Sequence, residues 1–287
     1  MSQVYEYCGS WHGTRIVVLK RWFYERLKGL SEAGMKHYEK HLADLKYTST
    51  EIKKKSKNIY RQILAESENL DCGNFKAIET EDLARLFGLH DLYFFNRFFH
   101  NNYKEKISFR LSRRMTRAAG RIAYTRHDGT YTIALSTTLV SQTFHDVRRE
   151  VVVNGIVCHD RLEATMRVLE HEIIHLLEWV LFGETSCSKP RFRRLSRNIF
   201  GHTDVTHQLV TQAERAHKRF NLRIGDEAVF EYDGNTYRGV ISRITKRATV
   251  MVRDSDGHFQ DSQGNRYSKY YVPLQQLNRS KGGYKSD

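Results

Sequence analysis

The chain has 287 residues, 40% of them hydrophobic, and 47 Lys and Arg against 33 Asp and Glu, a formal net charge of +14. That length suits one large folded unit or two smaller ones with a buried core, and no apolar run approaches the ~18 residues of a membrane span, so no membrane partner is expected. The positive excess favours a polyanionic partner, nucleic acid first, over a merely solvated basic surface, because aromatic residues lie among the basic ones.

In chain order, residues 17–66 read as helical. Val17 to Leu30 and Met35 to Leu45 carry apolar positions three and four apart. Lys53, Lys54, Lys55 and Lys57 form a charge run that reads as a solvated helix face. Gly73 and Asn74 mark a loop, and residues 79–100 read as a helix, a break near Gly88, and an aromatic-rich helix whose Tyr93, Phe94, Phe95, Phe98 and Phe99 belong to a core. From Ile107 the period turns strand-like, His127–Gly129 signals a hairpin turn, and Tyr131 to Ser136 alternates as a strand. A long helix is predicted from about Arg161 to Leu181, with Gly183 as its C-terminal cap. After residue 220, short β-branched runs split by turns at 233–235 and 246–247 predict a small β-barrel.

The chemistry concentrates in HEIIH, residues 171–175. His171 and His175 are four apart on a predicted helix, so both rings leave one face and can reach one zinc ion at about 2.0–2.1 Å. Glu172 is offset about 100° around the axis and suits a general base for a water activated by that ion. Met166, Leu169, Ile173, Ile174, Leu176, Leu177 and Val180 make the helix apolar around much of its girth, so polar groups on it need partners. A hydrolytic centre needs a third ligand. His202, just past a helix that Gly201 would end, leads; His207 is the alternative; Cys187 is weaker, since a thiolate is more usual in structural zinc.

The stretch from His171 to Leu209 resembles the SprT-like zinc metallopeptidases, which pair an HExxH helix with a third histidine further along. The resemblance covers about residues 79–210 and implies zinc ligation by His171 and His175, catalysis by Glu172, and proteins bound or crosslinked to DNA as substrates. Trp179, Phe182 and Gly183 also fall where the family's pattern has them. One departure stands out: Ser188 occupies the place of the family's usual third histidine, in SKPRF. His207, in a THQ that matches a family feature, is then a supporting residue if it is not the ligand. The cysteine-rich ribbon of some relatives is absent, and GDEAVF and YYVPL resemble an SH3-like or KOW-like barrel instead.

The resulting expectation is an α+β protein: an N-terminal helical extension (1–78), a zincin-like metallopeptidase domain (79–220), a small C-terminal β-barrel (221–278) and a tail (279–287). Its cofactor is Zn2+, its substrate a protein, its further partner nucleic acid with DNA favoured. Arg110, Arg113, Arg114 and Arg117, joined by Arg121, and Arg191, Arg193 and Arg194 after the active-site helix, are the expected phosphate contacts. Tyr237, Arg238, Arg243, Tyr267, Lys269, Tyr270 and Tyr271 offer bases a stacking surface in the β module. The competing reading is a nucleic-acid-binding protein with a structural zinc. The start of the chain lacks a basic stretch followed by an apolar one, and Cys8, Cys72, Cys158 and Cys187 are widely spaced without a CxxC pair, so a cytoplasmic location is expected.

Overall fold

The computed structural model describes residues 40–145 and 147–279. The predicted helix Val17 to Leu30, and the predicted helix from Met35 up to residue 39, lie outside the described residues. Helix α1, Ser49–Glu66, starts at a reciprocal cap: the Thr48 hydroxyl accepts from the Glu51 amide, and the Glu51 carboxylate accepts from the Thr48 amide. Lys53, Lys54 and Lys57 lie exposed on it, but Lys55 turns inward, donating to the Tyr93 carbonyl and sitting 4.3 Å from the Tyr47 ring centre. Helix α2, Thr80–Phe95, runs unbroken through Gly88, where the break was expected. Buried Leu83, Leu86, Leu89 and Phe94 hold that helix by packing, which outweighs the ~1 kcal/mol cost of one glycine. The chain turns instead at Asn96 and Arg97, both with positive φ, and the Asp91 carboxylate receives the amides of Phe99 and His100 at the start of α3, Phe98–Tyr103.

Three strands follow: β1 (Ile107–Ser112), β2 (Gly120–Thr125) and β3 (Thr130–Ser136). They form a sheet in the order β1-β3-β2, with β1 parallel to β3 and β2 antiparallel to it, so β2 is an outer strand. The expected hairpin joins β2 to β3. Helix α4, Thr137–Gln142, and a two-stranded hairpin, β4 (Val151–Val153) with β5 (Ile156–Cys158), lead to the central helix α5, Arg161–Phe182. Asp160 caps α5 at its start, and Gly183 ends it at φ 68°. Helix α5 touches β2, β3, α2, α4 and α6 (Pro190–Phe200), which explains an apolar surface on nearly every side.

A buried charge ties these elements together. Glu170 on α5 accepts two hydrogen bonds from Arg167 Nη1, at 2.7 and 2.8 Å, and one from His202 Nε2, at 2.8 Å. Its other oxygen has His90 Nε2 of α2 at 3.4 Å, a long contact that leaves that nitrogen without a well-formed hydrogen bond. Burial opposes ionisation of Glu170, yet the Arg167 charge and the His202 hydrogen bond outweigh it and hold the carboxyl well below the usual range.

The C-terminal strands do not close. Strands β6 (Glu227–Tyr232), β7 (Asn235–Ile244), β8 (Arg247–Arg253), β9 (Phe259–Gln260), β10 (Arg266–Pro273) and β11 (Asn278–Arg279) form one antiparallel sheet, order β11-β6-β7-β8-β10-β9. The expected barrel is therefore corrected to an open sheet. Its end strands are two residues long and do not pair with each other among the described residues, and its apolar face is covered by α7 (Gln212–Phe220) and the turn at Leu274–Gln276 rather than by curling on itself. Ala216, Leu222, Phe230, Ile241, Val250 and Val272 form this second core, apart from the cluster that runs from Leu42 to Leu209. No described helix is long and apolar enough to cross a membrane.

Removing the charge of Glu170 leaves Arg167 buried without its partner. Glu170→Gln is expected to cost about 3–5 kcal/mol, measured as a shift of the urea midpoint; a change below ~1 kcal/mol would contradict this role for the carboxylate.

Candidate metal centre

Helix α5 delivers both histidines as the spacing predicts. His171 Nε2 and His175 Nε2 lie 3.1 Å apart, with the Phe192 ring of α6 packed on both imidazoles, its centre 4.8 and 4.4 Å from theirs. Burial, then the neighbouring His175, pushes His171 down to about 3, and burial pushes His175 down to about 4. Both rings are therefore neutral at pH 7, the form in which imidazole binds a metal. Two unprotonated nitrogens this close repel unless a cation or a shared proton lies between them.

The orientation of His175 is set by a chain of hydrogen bonds. Arg191 Nε donates to the fully buried Glu178 carboxylate at 2.8 Å. The Thr185 hydroxyl also donates to that carboxylate, at 2.7 Å, so its oxygen is left to accept from His175 Nδ1–H at 2.6 Å. The proton is thereby fixed on Nδ1, and Nε2 presents its lone pair toward His171.

The third donor is not the one that the sequence favours. His202 does not join the pair: its Nε2 donates to Glu170 and its Nδ1 accepts from the Ser196 hydroxyl at 2.8 Å, so both nitrogens are engaged inside the core. His207 is engaged as well, through Nε2 to the Arg117 carbonyl at 2.9 Å and Nδ1 to the Leu209 amide at 3.4 Å. The residue brought to the pair is Cys187, whose sulfur and the two histidine nitrogens all lie within 4.8 Å of one another. Among the described residues, this is the one group of three His, Cys, Asp or Glu side chains placed to hold a metal ion. Ser188 is turned to Ser186, hydroxyl to hydroxyl at 2.8 Å. The seven residues between α5 and α6 thus bring a thiol where a histidine was expected one position later.

Glu172 lies under β2. Its carboxyl accepts from the Ile122 amide, and burial pushes it up to about 8 against that hydrogen bond. Gly120 makes the room: a Cβ there would stand 2.5 Å from Glu172 Oε1 and 2.8 Å from its Cγ. Glycine at this place, Thr185, Glu178 and Phe192 belong to the site and carry no separate signal in the sequence, although Glu178, three residues after His175 on an apolar helix, is a buried carboxylate in need of a partner.

A neutral pair of histidines and a thiol make a group that could hold a metal ion, and the residue after His171 carries a buried carboxyl under an outer strand. Residues 84–217 match the model of the SprT-like family. The chain carries a SprT-like domain. No curated protein and no solved structure matches the chain.

The SprT-like domain carries its expected basic residues in two ways. Arg110 lies on β1, while Arg113, Arg114 and Arg117 lie in the loop 113–119, where the strand-like period that begins at Ile107 is interrupted; all four are exposed, as are Arg193 and Arg194 on α6. Arg191 is spent on Glu178 and Glu184 and lies 4.2 Å from the Phe182 ring centre, a structural role that removes it from the phosphate contacts. In the β module, Tyr237 and Tyr270 pack against Phe230, whereas Tyr271 is 64% exposed.

The raised value for Glu172 sets a pH dependence. Its proton is held more tightly in the folded than in the unfolded chain, so this contribution to stability is complete below about 4.5 and is lost as pH rises through about 8. Metal-free Glu172→Gln is expected to be more stable than the wild type at neutral pH by about 2–3 kcal/mol, with the gap closing near pH 4. Urea unfolding across pH measures it, and a gap independent of pH would contradict the burial argument.

Proposed function

We propose that the protein is a zinc-dependent peptidase that acts on nucleic-acid-associated proteins. The observation that carries this reading is the grouping of His171, His175 and Cys187, whose donor atoms lie within 4.8 Å of one another, with Glu172 the next residue after His171 on the same helix. His171 Nε2 and His175 Nε2, 3.1 Å apart, would hold the ion together with the Cys187 sulfur. The N and S donors suit a borderline-soft ion, and three protein ligands leave one position open. When bound, zinc supplies Lewis acidity and activates a water at neutral pH.

The chain's own residues do the rest. Ionised beside a bound cation, which would draw down the value that burial raises, the Glu172 carboxylate would take the proton of the attacking water and hand it to the leaving amine. The Thr185–Glu178–Arg191 chain keeps the His175 lone pair on the metal side. The outer strand β2, which already touches Glu172 through Ile122, offers an edge on which an extended peptide pairs. Arg110, Arg113, Arg114, Arg117, Arg193 and Arg194 are free to follow a phosphate backbone, which brings the peptidase to proteins on DNA without reading sequence.

The second reading, a nucleic-acid-binding protein with a structural zinc, draws on the thiolate donor and on Ser188. Glu172→Gln separates the two. On the peptidase reading it keeps stoichiometric zinc and loses cleavage of a DNA-bound protein by about a hundredfold or more; a wild type without cleavage, or a variant with full cleavage, would sink it. Zinc content names the ligands: Cys187→Ala is expected to lose the metal and His202→Gln to keep it where the protein remains folded. Gly120→Ala should keep zinc but lower kcat about tenfold or more, by displacing the carboxyl.

A further inference from the structure

Away from the metal centre, a cleft of about 580 Å³ opens between α1 and the N-terminal half of α5, beside the end of α6. Its floor is apolar, with Ile52, Met166 and Phe200. Three cations line its wall. Lys53 and Lys57 stand one turn apart and exposed on α1, and Arg167 reaches in from α5 with a side chain only 10% exposed. Arg167 spends Nη1 on Glu170, while its Nε and Nη2 meet no acceptor among the described residues. Between the lysines, Ser56 is 8% exposed, and its buried hydroxyl has no hydrogen-bond partner. A buried polar group left this way costs about 1–3 kcal/mol, so an unpaired hydroxyl facing a cationic cleft points to a ligand that supplies acceptors. The carboxylate on the wall, Glu163, is held toward His159, whose backbone amide and ring both meet its Oε2.

We propose that this cleft binds a nucleoside phosphate. The phosphate sits among Lys53, Lys57 and the free side of the Arg167 guanidinium and accepts from the Ser56 hydroxyl; the base lies on the apolar floor. Two ammonium groups and a guanidinium fork match the charge and the multiple acceptor oxygens of a phosphate dianion better than a single carboxylate. The volume falls within the ~300–1,000 Å³ of small-molecule sites, and an apolar floor with few convergent polar groups is their usual build. The ligand is either a free nucleotide or the 5′-terminal nucleotide of a strand, which share this chemistry. None of these side chains takes part in the metal centre, so the site stands whether or not the peptidase reading does.

Calorimetric titration of the full chain with adenosine monophosphate, adenosine, and a trinucleotide with and without its 5′-phosphate tests the proposal. Adenosine monophosphate or the phosphorylated trinucleotide is expected to bind, and the forms lacking phosphate to bind at least about tenfold more weakly. Tighter binding of the phosphorylated trinucleotide than of the mononucleotide names a strand end as the source, and the reverse names a free nucleotide. Lys53→Ala/Lys57→Ala, two exposed positions whose loss leaves the fold intact by thermal unfolding, should weaken binding about tenfold or more, and Ser56→Val should weaken it independently. The proposal is overturned if neither phosphorylated probe binds at millimolar concentration, if adenosine binds as well as its phosphate, or if the double variant binds unchanged.

Discussion

The buried carboxylate of Glu170 is the point on which the domain's geometry turns. It stands one residue before His171 on a helix apolar on almost every side, where an unpaired charge would be prohibitive. The solution recruits Arg167 from the preceding turn, His202 from beyond α6, and His90 from α2. Each partner comes from a different part of the chain, so satisfying one charge fixes how α2 and the end of α6 approach α5. The neighbouring Asn154 side chain, donating to the Arg167 carbonyl at 2.7 Å, adds the β4–β5 turn to the same point. The histidine pair inherits its rigidity from this arrangement: the rotation of α5 about its axis is set before any metal arrives.

The site itself works against the fold. Two imidazoles are kept neutral by burial, one of them, His171, with a buried Nδ1 that has no partner, and Glu172 is buried where its charged form is disfavoured. Such local conflict is what a functional centre looks like inside an otherwise consistent core. The surrounding apolar packing, including Phe192 on both rings, is what tolerates it. The same packing excludes water from one side of the pair, which strengthens every electrostatic interaction on that side.

What was legible in the sequence follows the range of the interactions involved. His171, His175 and Glu172 are related by helical arithmetic alone, and the helix that carries them ends at Gly183 as its conformational freedom suggests. The third donor depends on how a loop returns, and no periodicity reports that. Gly201 was correctly a turn, but the turn sends His202 to Glu170, whose need for partners was itself written in the sequence as a carboxylate on an apolar helix. The strands after residue 220 were visible as short alternating runs, whereas closure of the sheet depends on its end strands and on the helix that covers it, both non-local. Gly88 was read as a break because propensity is local, and the packing of α2 overrides it.

The connection between α5 and α6 concentrates unlike duties in very few residues. Thr185 holds the ring of His175, Cys187 faces the histidine pair, Lys189 pairs with Glu184, and Pro190 starts the helix whose third residue, Phe192, walls both imidazoles. A donor, an orienting hydroxyl and an aromatic wall therefore share one register along the backbone. Elsewhere in the domain surface loops can lengthen or shorten at little thermodynamic cost. Here a single inserted or deleted residue would shift all three together, so this segment is constrained in length as tightly as the HEIIH helix is in spacing, even where its residue identities are free to differ.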